Sequence, residues 1–339
     1  MKALVIGTNH LTNVLLYAVP NAPGDGSFDW TTLGRNLING LSFGSIYAMV
    51  ALGIVLIYKS SDVVNFGHGQ MAMFSTYVAF SGMGLLLGVD VSKPNSQLPN
   101  KLEGGVFALA VIIALLFAGV MGILIERILL RPLAKSSVVS QVMVTIGLGT
   151  LFYGLASWIW KAEPRPYPRL DAVVGSPIKL GDVVITPEDI TFLVVGLVLA
   201  VALFLFFRYT MVGTALRAIA QNAFAARLMG INVGRLNGLA WALALMLAAI
   251  GGILAAPKLL LEPGMMTDVG VKAFAAAVLG GITSLPGAVL GGLLIGIIDN
   301  LVGFYLPDGL RATIAFLIIV LVLTIKPNGL LGKTIRKKV

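Results

Sequence analysis

Long apolar runs broken by short polar or glycine-rich pieces set the pattern of this chain. A run of about 20 apolar residues crosses the hydrocarbon core of a bilayer as a helix. Runs near 36–58, 66–88, 105–126, 139–160, 189–208, 236–256, 286–306 and 311–326 meet that length. A shorter apolar piece, 271–284, is bounded by Gly270 and by Gly280, Gly281 and Pro286. At 1.5 Å per residue it is about 20 Å long, too short for an easy span. It predicts a half-helix or a broken span. The expected fold class is therefore all-α: a polytopic membrane helix bundle of about 8–9 spans, with broken or half-helices. Residues 31–339 read as one transmembrane domain. Residues 1–30 read as an external or interfacial arm. A cleaved signal peptide is the other reading of that stretch, but Lys2 alone is a weak basic start, and Asn9, His10 and Asn13 interrupt the apolar run.

Composition narrows the class. Of the 339 residues 58% are apolar and 12% charged, against about 25% charged in an average soluble domain. Such a chain cannot cover a soluble globule, and it is too apolar for disorder. Cysteine is absent, which removes disulfides, thiolate nucleophiles and cysteine metal sites.

The net charge of +9 could suggest nucleic acid, but its placement points to a membrane. Arg208, Arg217, Arg227 and Arg235 fall in 207–236 with no acid. Lys326, Lys333, Arg336, Lys337 and Lys338 fall in the tail, and Arg127, Arg131 and Lys135 in 127–138. By the positive-inside rule these three segments are cytoplasmic. The segment 89–104 is neutral, and 161–189 has four basic residues against five acidic ones, so both should lie outside. The N-terminus is then external and the C-terminus cytoplasmic. No nucleic-acid partner is expected.

Catalytic motifs mostly fail. Gly329-Leu330-Leu331-Gly332-Lys333-Thr334 looks like a phosphate loop, yet Pro327 stands where its first glycine belongs, and no helix follows to hold phosphates. There is no HExxH, and His10 and His68 lie in different segments. No catalytic residue, metal site or cofactor is expected.

Three polar or small-residue segments remain. The first is Asn65-Phe66-Gly67-His68-Gly69-Gln70, which interrupts the apolar run between the first two spans. It is either a cytoplasmic turn or a broken helix whose freed backbone lines a path, with Asn65, His68 and Gln70 as lining residues. The second is Gly287, Gly291, Gly292 and Gly296, small residues on adjacent stripes of one helix, expected to pack closely against neighbours. On the same span Asp299 and Asn300 are polar; Asp299 is either a buried path residue or reaches the interface beside Tyr305. The third is 213–236, helical by propensity over Ala215–Met229 and stopped by Gly230. Leu216, Ile219, Ala223 and Ala226 fall at helical spacing. Such a helix can rest on the membrane surface, or dock into a cytosolic motor through Ala225 and Ala226.

These segments, in order, carry a resemblance. Asn39-Gly40-Leu41-Ser42, Gly44-Ser45 and Tyr47-Ala48 open the first span, and Val64-Asn65-Phe66-Gly67-His68-Gly69 follows. Ala225-Ala226-x-x-x-Gly230-Ile231-Asn232, Lys272-Ala273-Phe274 with Gly280-Gly281, and Ser284-x-Pro286-Gly287-Ala288 complete the set. From about residue 35 to 332 the chain closely resembles the inner-membrane permease of the branched-chain amino acid ABC importers, with urea ABC permeases as near relatives. The resemblance implies a second related permease, two cytosolic ABC ATPases that bind the ATP, and an external substrate-binding protein. It implies a coupling loop over about 209–236, with Arg217, Gln221, Ala225, Ala226 and Gly230 facing the ATPase. The family usually has alanine and glutamate where Gly67 and Gln70 stand, and often an acid near Gln221. The alternative of a different class is a self-sufficient channel or secondary carrier, which would use ionisable residues inside its spans. The best embedded candidates are Asp299 and Glu126, and their scarcity favours an external energy source.

The charge pattern yields a direct test of orientation. In this cysteine-free chain, a single cysteine placed at Arg217 should resist a membrane-impermeant thiol reagent added to intact cells. Cysteines placed in 161–189 should react. Labelling of position 217 from outside would invert the topology.

Overall fold

The computed structural model describes residues 30–93, 98–170, 177–180, 183–305 and 308–332. The expected N-terminal arm and the last residues of the basic tail lie outside these. The long helices are α1 (Trp30–Ser61), α2 (His68–Leu87), α3 (Gly104–Leu124), α4 (Val138–Trp160) and α5 (Pro187–Tyr209). Two short helices, α6 (Met211–Gln221) and α7 (Ala223–Leu228), lead into α8 (Val233–Leu259). Then come α9 (Met265–Gly280), α10 (Leu285–Tyr305) and α11 (Asp308–Ile325). A π turn, Ile125–Leu130, extends α3. Four very short strands form two pairs outside the bundle: β1 (Lys101–Leu102) runs parallel to β2 (Arg169–Leu170), and β3 (Ile178–Leu180) runs antiparallel to β4 (Val183–Ile185).

Among the described residues, seven helices are long and apolar enough to cross a membrane: α1, α2, α3 with its π turn, α4, α5, α8 and α10. This all-α polytopic bundle is the fold class the apolar pattern predicts. α9 is 16 residues, about 24 Å at 1.5 Å per residue, and falls short of a full span, as the 271–284 piece suggested.

α1 is the central post. Its residues from Ile46 to Ile57 are buried throughout, and α5, α8, α9 and α10 all pack on it. α2 and α3 pack in turn on α8. The outer faces of α3, α4, α5 and α11 carry exposed Leu, Ile, Val and Phe side chains, among them Leu116, Ile146, Leu197 and Val320. An apolar perimeter of this kind is solvated by lipid tails.

The α1–α10 contact is made backbone to backbone. A Cβ on Gly292 would lie 2.5 Å from the Cα of Ala48, and one on Gly296 would overlap the carbonyl oxygen of Gly40. The other stripe of α10 faces α9: a Cβ on Gly291 would overlap the oxygen of Ala276, and one on Gly287 the oxygen of Gly280. In lipid, helices gain little from hydrophobic burial and associate through such close packing.

The two ends of the bundle segregate. At one, the Arg131 guanidinium reaches the carbonyl oxygen of Gly234 at 2.5 Å and bridges to Glu126 at 2.7 Å, so the basic segments 127–138 and 207–236 meet. At the other, Arg165 donates to the carbonyls of Val91 and Trp160, and its backbone pairs with Leu261. Arg169 pairs with Glu188 at 2.8 Å. The phosphate-loop look-alike closes a helix end instead, since the amides of Leu330 and Leu331 donate to the carbonyls of Leu279 and Gly280. They satisfy acceptors that the last turn of a helix otherwise leaves open.

Replacing Gly296 with valine should force α1 and α10 apart. Overpacking of a well-fitted contact costs about 1–3 kcal/mol, so the detergent-solubilised protein should unfold at a clearly lower temperature. Gly147, which has nothing within 4 Å of a Cβ, supplies the control: Gly147→Ala should leave the midpoint where it was.

Candidate functional site

The break after α1 is the first component. Asp62, at φ 56°, turns the chain out of α1, and residues 63–65 run without regular structure before α2 begins at His68. Asn65 shapes the return, because its Oδ1 accepts from the amide of Gly67 at 3.0 Å. The segment goes back into the bundle. His68 lies beside Gly53 and the carbonyl of Ala244. Gly53 is eight residues, about 12 Å, from the end of α1. Asn65 and His68 are buried. The amide of Phe66 donates to Thr145 Oγ1 at 3.2 Å, and a Cβ on Gly67 would overlap the carbonyl of Thr145. Gly67 therefore lets α4 sit against the broken segment. Gln70 points to the start of α9, with its amide 3.4 Å from Thr267 Oγ1.

α9 brings the second component. Its start packs on α2, where Gly69 abuts Met266 and Gly270, and Phe66 lies against Phe274 at 5.3 Å between ring centroids. One turn further in, Lys272 is almost fully buried between two carboxylates, Asp299 Oδ1 at 2.8 Å and Asp268 Oδ2 at 2.5 Å. The Tyr47 hydroxyl donates to the other oxygen of Asp299 at 2.9 Å, and the Lys272 ammonium lies 5.9 Å from the Tyr47 ring. Asp299 is thus the inward-facing polar residue of the two alternatives left open by its sequence. The two aspartates differ sharply: the Asp299 side chain is 4% exposed and that of Asp268 57%. Asp268, Thr267 and Phe66 are exposed, and Gln70 is half-buried beside them. A polar patch over a buried ion pair therefore opens on an otherwise apolar bundle.

Lys272 was named only as part of a motif and Asp268 not at all, although a lysine inside an apolar run was a usable signal for a site. A second buried pair was also missed. Asp189, at the start of α5, takes a charged hydrogen bond from Lys258 at the end of α8, accepts from Ser42 of α1 at 2.8 Å, and completes a capping box with Thr186. Lys258 lies over the rings of Phe43 and Phe192 at 5.2 and 5.1 Å. Embedded charge is therefore less scarce than Asp299 and Glu126 suggested, but it is paired.

The third component is the connection between α5 and α8. The expected single helix over 215–230 is two helices. Asn222 leaves the helical region at φ −159°, ψ 101°, and its side chain accepts from the amides of Phe224 and Ala225 at 3.0 Å. Short polar side chains that bond the backbone compete with helix continuation, and propensity averaged over the segment hides that. Gly230 follows α7 at φ 82°, the left-handed conformation that suits glycine. The exposed face also needs correction. Ala226 is buried against Ile219 and Val233, so it packs within the chain. Ala225 is exposed, and with it Phe224 at 68%, Leu228 at 74% and Met229 at 82%. Arg217 and Gln221 are exposed on α6. Among the described residues no group of three or more His, Asp or Glu could hold a metal ion.

Comparison with known proteins places this arrangement. The family described as "branched-chain amino acid transport system / permease component" matches residues 36–325. The high-affinity branched-chain amino acid transport system permease protein LivH of Escherichia coli K12 is 31% identical over 90% of this chain and 97% of its own length. LivH of Salmonella typhimurium matches equally, and BraD of Pseudomonas aeruginosa is 32% identical over the same shares. No solved structure matches. The family match runs from within α1 to the end of α11 and includes the broken segments, and the chain belongs to the branched-chain amino acid transport system permease family.

Proposed function

We propose that this multi-pass protein is the membrane-spanning subunit of an ATP-driven importer that carries branched-chain or other amino acids. It acts beside a second related permease, two cytosolic ABC ATPases and an external binding protein. The observation that carries the reading is the polar patch of Gln70, Thr267 and Asp268. It sits where the starts of α2 and α9 meet, with His68 beside Gly53 of α1, about 12 Å along that helix from its end, and Asp268 is more than half exposed. A carboxylate cannot face lipid tails without a cost of several kcal/mol. The patch therefore faces protein or water, and a second permease set against it would enclose a path lined by Gln70, Thr267 and Asp268, with Asn65, His68 and Asp299 buried behind them. The names of the relatives supply the substrate class.

The arrangement of the basic end supports the motor interface. Phe224, Ala225, Leu228 and Met229 form an exposed apolar face flanked by Arg217 and Arg227. Ala226, Ile219 and Val233 hold that face from behind. Arg131, bound to Glu126 and to the carbonyl of Gly234, ties the connection to α3. Docking of an ATPase on this face would transmit its motion to α8 and α3. The excess of Arg at this end supports a cytoplasmic setting for it, with the N-terminus outside.

A second reading draws on the buried Lys272–Asp299 and Lys258–Asp189 pairs, since ion-coupled carriers embed ionisable groups. Reconstitution separates the two. Proteoliposomes holding the permeases and ATPases, supplied with binding protein, should take up labelled leucine only with ATP on the motor side. Uptake driven by a proton gradient without ATP would establish the carrier.

The coupling face has its own test. Ala225→Glu and Phe224→Asp add charge to the exposed side and leave Ala226 packed. A bulky unpaired charge buried in an interface costs several kcal/mol. ATPase co-purification should then fall at least tenfold while the permease inserts normally. Full retention with normal transport would show that the loop only rests on lipid.

A further inference from the structure

We propose that Asp268 and Lys272 form an exchangeable ion pair that receives the charged head group of a zwitterionic amino acid, while Asp299 and Tyr47 hold Lys272 in place. The inference rests on the importer reading and assigns the residues that meet the substrate.

The asymmetry of the two aspartates carries the argument. Lys272 needs one carboxylate to be neutralised, and it has two. Asp299 is buried, takes the Tyr47 hydroxyl at 2.9 Å, and comes from a different helix, α10. Breaking it away would strand a buried charge, which proteins strongly resist. Asp268 is four residues before Lys272 on the same helix, and its side chain is 57% exposed. Water competes for the Asp268 carboxylate and not for that of Asp299, which weakens the outer bond relative to the inner one. The inner bond is therefore the fixed one and the outer bond the labile one.

The three charges sum to −1, and the excess lies on the exposed carboxylate. An incoming ammonium group is attracted there first. As Asp268 turns toward it, the Lys272 ammonium loses one acceptor and presents its open side to the ligand's carboxylate. One ion pair is replaced by two: carboxylate on Lys272 and ammonium on Asp268. An α-amino acid brings no net charge, so the insertion leaves the charge balance inside the membrane unchanged. A free carboxylic acid would raise the negative charge. Urea offers no charge at all and cannot displace Asp268 from Lys272. The neighbours suit the remainder of the ligand, since Phe66 and Phe274 lie against each other beside Gln70 and Thr267, giving apolar surface next to polar groups.

The exposed member of the set also makes the test clean. Asp268→Asn removes the outer carboxylate and leaves Lys272 paired with Asp299, so no buried charge is orphaned. In proteoliposomes with ATPases and binding protein, Asp268→Asn should lower ATP-driven leucine uptake at least tenfold. ATPase co-purification and basal ATP hydrolysis should stay within about twofold of wild type. Asp268→Glu, which keeps the charge one methylene further out, should recover uptake to within about threefold of wild type. Leucine uptake by Asp268→Asn at the wild-type rate would overturn the exchange, and so would uptake lost equally in the Asn and Glu variants with assembly intact. Wild-type complexes that carry urea and no amino acid would also overturn it. A wild-type complex that moves leucine without ATP would instead refute the importer reading, and the two failures are thereby distinguishable.

Discussion

The close approach of α1 and α10 is the constraint on which the rest of the bundle depends. Gly40, Gly44 and Ala48 on one helix face Gly292 and Gly296 on the other with no room for a Cβ on α10. Lipid tails are as apolar as leucine side chains, so this contact must be held by dispersion between closely fitted backbones. Its consequence is chemical as well as mechanical. Tyr47 is on the α1 face of this contact and Asp299 on the α10 face, and only at this separation can the hydroxyl reach the carboxylate at 2.9 Å. The second glycine stripe of α10 brings α9 equally close and puts Lys272 against the same carboxylate. Three helices thus converge on one polar cluster because two stripes of one helix lack side chains.

The polar groups follow a common rule. Among the described residues the embedded acids Glu126, Asp189 and Asp299 are each met by an opposite charge, and for Asp189 and Asp299 that charge comes from another helix. Asp189 opens α5 and meets Lys258 at the close of α8. Glu126 opens the π turn at the end of α3, and Arg131 carries its charge to the first turn of α8. Lys272 lies two turns into α9 and meets Asp299 of α10. Ion pairs of this kind are poor sources of stability compared with apolar packing. What they supply is register: each fixes how far one helix has slid along another. Asp268 departs from the rule, being charged, partly exposed and paired along its own helix, and that departure distinguishes a candidate contact from a structural pair.

Much of the fold was legible in the sequence, because a span needs about 20 apolar residues and this requirement leaves a local trace. The glycine stripe of α10 was legible for a similar reason: small residues at i and i+4 mark a face without reference to its partner. What was hidden was the partner. Ser42 and Asp189 are 147 residues apart, and Tyr47 and Asp299 are 252 apart; no periodicity in one chain encodes such pairs. The connection between α5 and α8 shows a different limit. Its helical propensity was read correctly in sum, but a single Asn222 diverts its side chain to the next two amides and divides the helix. That bend turns Ala226 inward onto Ile219 and Val233, and helical spacing alone could not say which small residue would stay outside.

The broken segments show how these levels combine. A continuous helix bonds its own backbone and presents only side chains, so it offers a polar solute few partners inside a membrane. Ending α1 at Ser61 and restarting at His68 puts irregular backbone inside the bundle. That backbone is tolerated because Asn65 caps it from within and Thr145 of α4 accepts it from the side. α9 begins against this restart, where Gly69 abuts Met266 and Gly270. Two helix starts are thus brought together, and the polar residues nearest each start, Gln70 on one and Thr267 and Asp268 on the other, share one patch. A bundle of unbroken spans with the same composition would bury its glycine contacts equally well. What it would lack is the second helix start, which sets Gln70 of α2 against Thr267 of α9, one residue before the exposed Asp268.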